Sequence, residues 1–276
     1  MTLINFLIPF LAAILGGTLN AVAGGGSFIT FPSLVYAGVP PIQANATSTT
    51  ALWPGSVAAI WAFRRELAKQ SRVLLLTLSI VSLIGGVVGA ILLLVTPQTT
   101  FVRLIPFLIL IATLLFALSP WINARIKQRA AARKLSEEQS EGSHLTPPDY
   151  LSWPKLLRTS LLQMVIAVYG GYFGGGIGIL QLASFGAMGM EDIHEMNAIK
   201  NATTACINGI AVVTFIIAGA VFWGYALLMI VGAIIGGYGA AYYARKLDQR
   251  IVRAFVILVG CIMTVYFFVK YGLPGM

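Results

Sequence analysis

The chain has no charged side chain before Arg64, and charged residues make up only 10% of its 276 positions. A soluble domain carries about 25% charged residues, so a water-exposed globule is excluded. The two cysteines, Cys206 and Cys261, sit singly in apolar runs and make neither a disulfide framework nor a metal cluster. The two histidines, His144 and His194, are poorly placed to assemble a Ser-His-Asp or comparable catalytic set. No span holds a carboxylate pair for a proton relay, and no Gly-x-x-x-x-Gly-Lys loop points to ATP. An enzyme is therefore not expected, nor a cofactor, nor a bound metal. The net charge of +9 does not mark a nucleic-acid binder, because the basic residues cluster in short segments beside apolar spans.

What is present is apolar length. The hydrophobic fraction is 58%. Apolar runs at 3–23, 45–63, 73–95, 103–119, 156–173, 197–221, 224–243 and 251–271 are each close to the roughly 20 residues that cross a bilayer. Two more, at 27–37 and 177–188, are about half that length and read as half-helices that dip in and turn back, or as short tilted segments. The expectation is an all-α polytopic membrane protein with about eight transmembrane helices plus two short re-entrant elements. Ala21-Val22-Ala23 mimics a signal-peptide cleavage site, but no basic n-region precedes it, so the first run reads as a span.

Charge sets the orientation. Arg64, Arg65, Lys69 and Arg72 form one basic loop; Arg125, Lys127, Arg129, Arg133, Lys134, Lys155 and Arg158 lie in or beside a second; Arg245, Lys246, Arg250 and Arg253 form a third. Together they hold fifteen of the eighteen basic residues and are expected on the cytoplasmic side, with both termini outside. Equivalent spans then point in opposite directions, so the two halves form inverted repeats, residues 1–122 and 155–276, joined by a cytoplasmic linker at 123–154. Gly38 and Gly189, Ile42 and Ile193, and Ile84-Gly85-Gly86 and Ile235-Gly236-Gly237 all match at an offset of 151. Val102-Arg103 matches Val252-Arg253 one residue out of step.

Two glycine triplets occupy corresponding places in the halves: Gly24-Gly25-Gly26, followed by Ser27, and Gly174-Gly175-Gly176. Paired helix breaks at matched positions point to a transporter's binding site, where a half-helix aims free N–H groups and its positive dipole end at an anion. The competing explanation is close helix crossing. Gly85, Gly86, Gly89, Gly236, Gly237 and Gly239 lack polar neighbours and read as packing. After each triplet comes a polar stripe. The first holds Asn45, Thr47, Ser48 and Thr49; the second holds Asn197, Lys200, Asn201, Thr204 and Asn208, on one helical face at i, i+3, i+4, i+7 and i+11. Such stripes mark helix glue or a wet pathway. Lys200 stands open as either the cation of an anion site or a side chain snorkelling to the headgroups. Gln181 is a further candidate contact. Glu191, Asp192, His194 and Glu195 read first as caps of the following helix.

The run Gly24-Gly25-Gly26-Ser27-Phe28-Ile29-Thr30-Phe31-Pro32-Ser33-Leu34, then Gly38-Val39-Pro40-Pro41 and Ala44-Asn45-Ala46-Thr47-Ser48, resembles the sulfite exporter TauE/SafE family of bacterial membrane permeases. The second-half Gly174-Gly175-Gly176-Ile177-Gly178 and Asn197-Ala198 are similar to that family's internal repeat. The resemblance implies a multi-pass carrier in the bacterial inner membrane that moves sulfur oxyanions or organosulfur anions such as sulfite or sulfoacetate. Its partners would be a small anion and the lipid bilayer, with the oligomeric state left open. A permease for another small anion or metabolite, or a non-transporting membrane scaffold, are the alternatives. Lys200 stands near the place of Ser48 or Thr49, which makes the expected site asymmetric.

Overall fold

The computed structural model describes residues 3–22, 25–138, 153–190, 192–243 and 249–272. Gly24, Glu191, Arg245, Lys246 and residues 139–152 of the linker, with His144, lie outside these described residues. All regular structure among the described residues is helical: α1 (Leu3–Val22), α2 (Ser27–Tyr36), α3 (Pro41–Ala62), the short α4 (Arg64–Ala68), α5 (Arg72–Val95), α6 (Gln98–Glu138), α7 (Trp153–Tyr172), α8 (Ile177–Met188), α9 (Ile193–Ile217), α10 (Trp223–Tyr243) and α11 (Gln249–Phe267), closed by a π-helical turn at Phe268–Gly272.

Three segments are long and apolar enough to cross a membrane by length and composition: Arg72–Val95, Gln98–Ile122 and Ile193–Ile217. Helices α1, α3, α7 and α10 have 20 to 22 residues, about 30 Å at 1.5 Å per residue. Their outer faces are apolar. Leu7, Leu11 and Leu15 of α1, Leu76, Ile80 and Leu83 of α5, and Leu161 and Val165 of α7 are all exposed. A surface this apolar matches hydrocarbon rather than water.

Local chemistry explains the ends of the elements. Pro41 supplies the fixed φ that suits a first helical turn, so α3 starts four residues ahead of the apolar run. Asp192 caps α9, its Oδ1 accepting from the N–H groups of His194 (2.7 Å) and Glu195 (3.3 Å). Both half-helices stop in the same way. Val39 N donates to Leu34 O (3.0 Å) around Gly38 at φ 87°, and Met190 N donates to Phe185 O (3.1 Å) around Gly189 at φ 101°. These are Schellman closures built on left-handed glycines, and all three positions correspond at the offset of 151.

Packing follows a paired pattern. Helix α1 lies along α10, and α5 lies along α7, in the two most extensive contacts of the molecule. Each pair is made possible by glycine. A Cβ on Gly17 would collide with Ala233 O and one on Gly236 with Ile14 O; likewise Gly89 would collide with Val168 O and Gly171 with Gly86 O. Small residues let membrane helices approach this closely without a hydrophobic driving force. Across the middle, α3 packs on α9, where Trp53 Nε1 donates to Ala205 O at 3.2 Å. The half-helix α2 touches α11, and α8 touches α6. Helix α6 continues well past the apolar segment into the expected linker, as far as Glu138.

Candidate substrate site

The second glycine triplet is a turn that only glycine makes without strain. Gly174 and Gly176 have φ of 81° and 78°, a region that costs other L-residues roughly 1–2 kcal/mol. Tyr169 holds this turn from inside the preceding helix. Its carbonyl accepts from Phe173 N (2.9 Å) and Gly174 N (3.3 Å), and its hydroxyl donates to Gly175 O (2.8 Å). Helix α8 starts immediately afterwards. Ile179 N donates to Gly176 O at 3.0 Å, while the N–H groups of Ile177 and Gly178 make no hydrogen bond among the described residues.

The first triplet is built differently. Gly26 is right-handed helical (φ −58°, ψ −35°), and Gly25 O and Gly26 O already accept from Phe28, Ile29 and Thr30 N–H at 3.2 Å. Glycine is required at Gly26 because a Cβ would run into Gly16 O of α1.

Both turns converge on one turn of α6. A Cβ on Gly25 would lie 3.0 Å from Phe116 Cζ, on Gly175 3.2 Å from Ala112 Cβ, and on Gly176 3.3 Å from Leu115 Cδ1. Ala112 is about 21 Å along α6 from Gln98, and the apolar stretch Gln98–Ile122 is about 37 Å long. The two glycine turns therefore meet well inside the apolar layer.

A polar side chain ties each half-helix to the long helix after it. Thr30 of α2 and Ser48 of α3 share a hydroxyl hydrogen bond of 2.7 Å, both buried. In the other half, the buried amide of Gln181 in α8 donates through Nε2 to Thr203 Oγ1 (2.9 Å) and accepts at Oε1 from Thr204 Oγ1 (2.7 Å), both on α9. Thr30 and Gln181 correspond at the offset of 151. Asn45 links the halves, its Nδ2 donating to Tyr172 O at 3.1 Å, two residues before the second triplet. Asn197 stays on its own helix: Nδ2 donates to Ile193 O (2.7 Å), and Oδ1 accepts from Lys200 Nζ (2.9 Å). The Lys200 stem lies over Gly178, at the start of α8.

Of the other expected site residues, Ser27 lines the cleft described below, and Thr49 and Asn201 are half-buried without a side-chain hydrogen bond. Thr47 turns elsewhere, its Oγ1 accepting from Phe222 N (3.0 Å) ahead of α10. Thr203 belongs to the polar run 197–208 of the second half, whereas Thr30 and Tyr169 are not among the expected site residues. Alignment of the repeat would have flagged Thr30 opposite Gln181, whereas nothing local marks Tyr169.

Between the halves, a cleft lined by Ser27, Phe28, Phe31, Pro32, Ile109 and Phe173 has about 10 Å³ of free volume, room for about one water. Edge-to-face aromatic contacts close it: Phe28 on Phe116 (5.3 Å between centroids) and Phe31 on Phe173 (6.0 Å). This conformation is shut around the two turns. No group of three metal-ligating side chains occurs among the described residues.

The family model described as Sulfite exporter TauE/SafE matches residues 9–267. A "Probable membrane transporter protein ORF9" from Sinorhizobium sp is 27% identical over 260 residues, covering 93% of this chain and 89% of that protein. A "Probable membrane transporter protein YfcA" from Escherichia coli is 25% identical over 258 residues, covering 93% and 87%. A "Probable membrane transporter protein" from Haemophilus influenzae is 27% identical over 262 residues, covering 95% and 92%. No solved structure matches.

Proposed function

The chain belongs to the sulfite exporter TauE/SafE family and is a multi-pass membrane transporter, and from that premise we propose that it exports a small sulfur oxyanion or organosulfonate, such as sulfite or sulfoacetate, by alternating access. The observation that carries this reading is the convergence of both glycine turns on residues 112–116 of α6, inside the apolar layer. The unpaired N–H groups of Ile177 and Gly178 follow directly on the second turn, the Lys200 stem lies over Gly178, and the Gln181 amide with its threonines lies about one helical turn further along α8. Helix N-termini with free N–H groups suit oxyanions, and irregular backbone survives at membrane depth where it lines a cavity or is covered by protein.

The architecture proposed is two inverted repeats, residues 1–122 and 155–276, with about eight spans and two half-helices. Exchanged pairings support it: α1 on α10 answers α7 on α5, and α2 on α11 answers α8 on α6. The three basic segments and the 123–154 linker face the cytoplasm of a bacterial inner membrane, with both termini outside, in keeping with the positive-inside rule. The shut cleft corresponds to an occluded stage between inward-open and outward-open forms.

An anion leaving a cell that is negative inside gains about 2.3 kcal/mol per charge per 100 mV. Export thus needs no coupling ion. The test is sulfite efflux from proteoliposomes under an imposed potential. Efflux that grows with inside-negative potential is expected. Efflux that ignores the potential and requires a proton gradient would show that uncoupled export is wrong.

A further inference from the structure

The two halves differ in where they place charge. Ser27 opens α2, and Gly178 takes its place in α8 at the offset of 151; Lys200 in α9 falls opposite Thr49 of α3 at 151 and opposite Ser48 at 152. The first half thus offers only neutral hydroxyls, and that of Ser48 is shared with Thr30. In the second half, the missing side chain of Gly178 makes room for a lysine. A Cβ there would lie 3.3 Å from Lys200 Cδ and 3.9 Å from both Cγ and Cε. The ammonium donates to the Asn197 amide oxygen at 2.9 Å, a neutral partner, and no carboxylate of the described residues pairs with it. Asp192 is committed to capping the helix start. A lysine ammonium has three donors, so two are left for a ligand. A cation inside a span is costly to hold and is by default a functional group.

Resting on the reading of the glycine turns as an anion site, we propose that Lys200 supplies the site's one fixed positive charge, so that a monovalent oxyanion makes a neutral loaded carrier and the membrane potential acts on the return of the empty one. A monoanion cancels Lys200, and the loaded site crosses with no net charge. A dianion, such as sulfoacetate or fully ionised sulfite, would leave one negative charge uncompensated in the apolar layer, so among the proposed substrates the site favours the monoanion hydrogensulfite. The empty site carries Lys200 back alone, and a cell interior that is negative draws it inward. Charge moved over the full cycle is unchanged; only the step that carries it is assigned.

Two flux modes separate these steps in proteoliposomes. Exchange of radiolabelled sulfite, buffered on both sides at a pH where the monoanion hydrogensulfite dominates and with saturating sulfite on both sides, uses the loaded carrier alone, while net efflux also needs the empty return. The wild-type protein is expected to show exchange that does not change with potential and net efflux that rises several-fold as the inside is made negative. Lys200→Gln should cut exchange at least about tenfold and make the residual exchange sensitive to potential. Gly178→Ala, which crowds the lysine stem, should raise the half-saturating sulfite concentration a few-fold while exchange stays insensitive. Wild-type exchange that follows the potential as steeply as net efflux would overturn the proposal, and so would a folded Lys200→Gln variant with wild-type exchange. Should Lys200→Gln fail to fold, Gly178→Ala decides: an unchanged half-saturation sinks the assignment. A wild-type protein that moves neither sulfite nor methanesulfonate in either mode sinks the anion reading itself, and this proposal with it.

Discussion

At Gly26 the backbone is already helical and glycine is there for clearance from Gly16 O, whereas at Gly174 and Gly176 the backbone is left-handed and glycine is there for conformation. The same three letters in the sequence answer to sterics between helices in one half and to the dihedrals of a turn in the other. Beyond the turns, one half fastens its half-helix with a single hydroxyl pair, the other with an amide held by two threonines. The break falls at corresponding positions in the two halves of the chain, and each is stabilised in its own way. The half-helix with two ties is also the one that faces Lys200.

Substitutions can break this contrast in a graded order. Gly26→Ala sets a methyl group against backbone, which cannot swing aside, and should cost about 3 kcal/mol, the upper range for overpacking. Thermal unfolding in mild detergent would read this, and an unshifted melting temperature would refute the clearance argument. Gly176→Ala should cost about 1–2 kcal/mol through the left-handed backbone, and Gly176→Asn markedly less, since asparagine tolerates that region. The same Ala and Asn pair at Gly26 should show no such relief, because clearance there depends on size alone. Gln181→Met removes two hydrogen bonds and should cost about 1 kcal/mol at the average membrane value per bond, with a larger loss of sulfite flux than of stability. Ser48→Ala removes one bond and should cost about 0.6 kcal/mol. If Ser48→Ala proved as damaging to flux as Gln181→Met, the two halves would share the work equally and the contrast would fall.

Much of this was legible in the chain. Helix α8 occupies the apolar run 177–188, and α2 falls within one residue of its run, because glycines bound both sides of each. Asp192 was readable as a cap from its place three residues ahead of Glu195. The packing glycines Gly85, Gly86, Gly89 and Gly236 lie against backbone or side chains of neighbouring helices. Other features escape a reading by hydropathy alone. Helix α6 runs on through Ala130-Ala131-Ala132 and its basic neighbours, since helix propensity outlasts hydrophobicity there. An apolar-run criterion stops at Ser119 and misses that extension. Thr47 shares a sequence cluster with Asn45 and Ser48, but helical geometry rotates it toward Phe222, a partner 175 residues away. Similarly, the clamp from Tyr169 to Gly175 and the bond from Trp53 to Ala205 depend on packing that periodicity cannot foresee.

Helix α6 spans 41 residues without interruption, about 60 Å, and carries both glycine turns near residues 112–116. It is thus a lever whose fulcrum is the meeting point of the two glycine turns. From Ala112 to Glu138 the arm is about 39 Å long, so a tilt of about 10° at the fulcrum sweeps its far end through roughly 7 Å. Pro106 and Pro120 bracket the fulcrum, each removing one backbone N–H donor from the helix. A tilt of the apolar part of α6 is therefore carried along one continuous helix to the basic residues from Arg125 to Lys134.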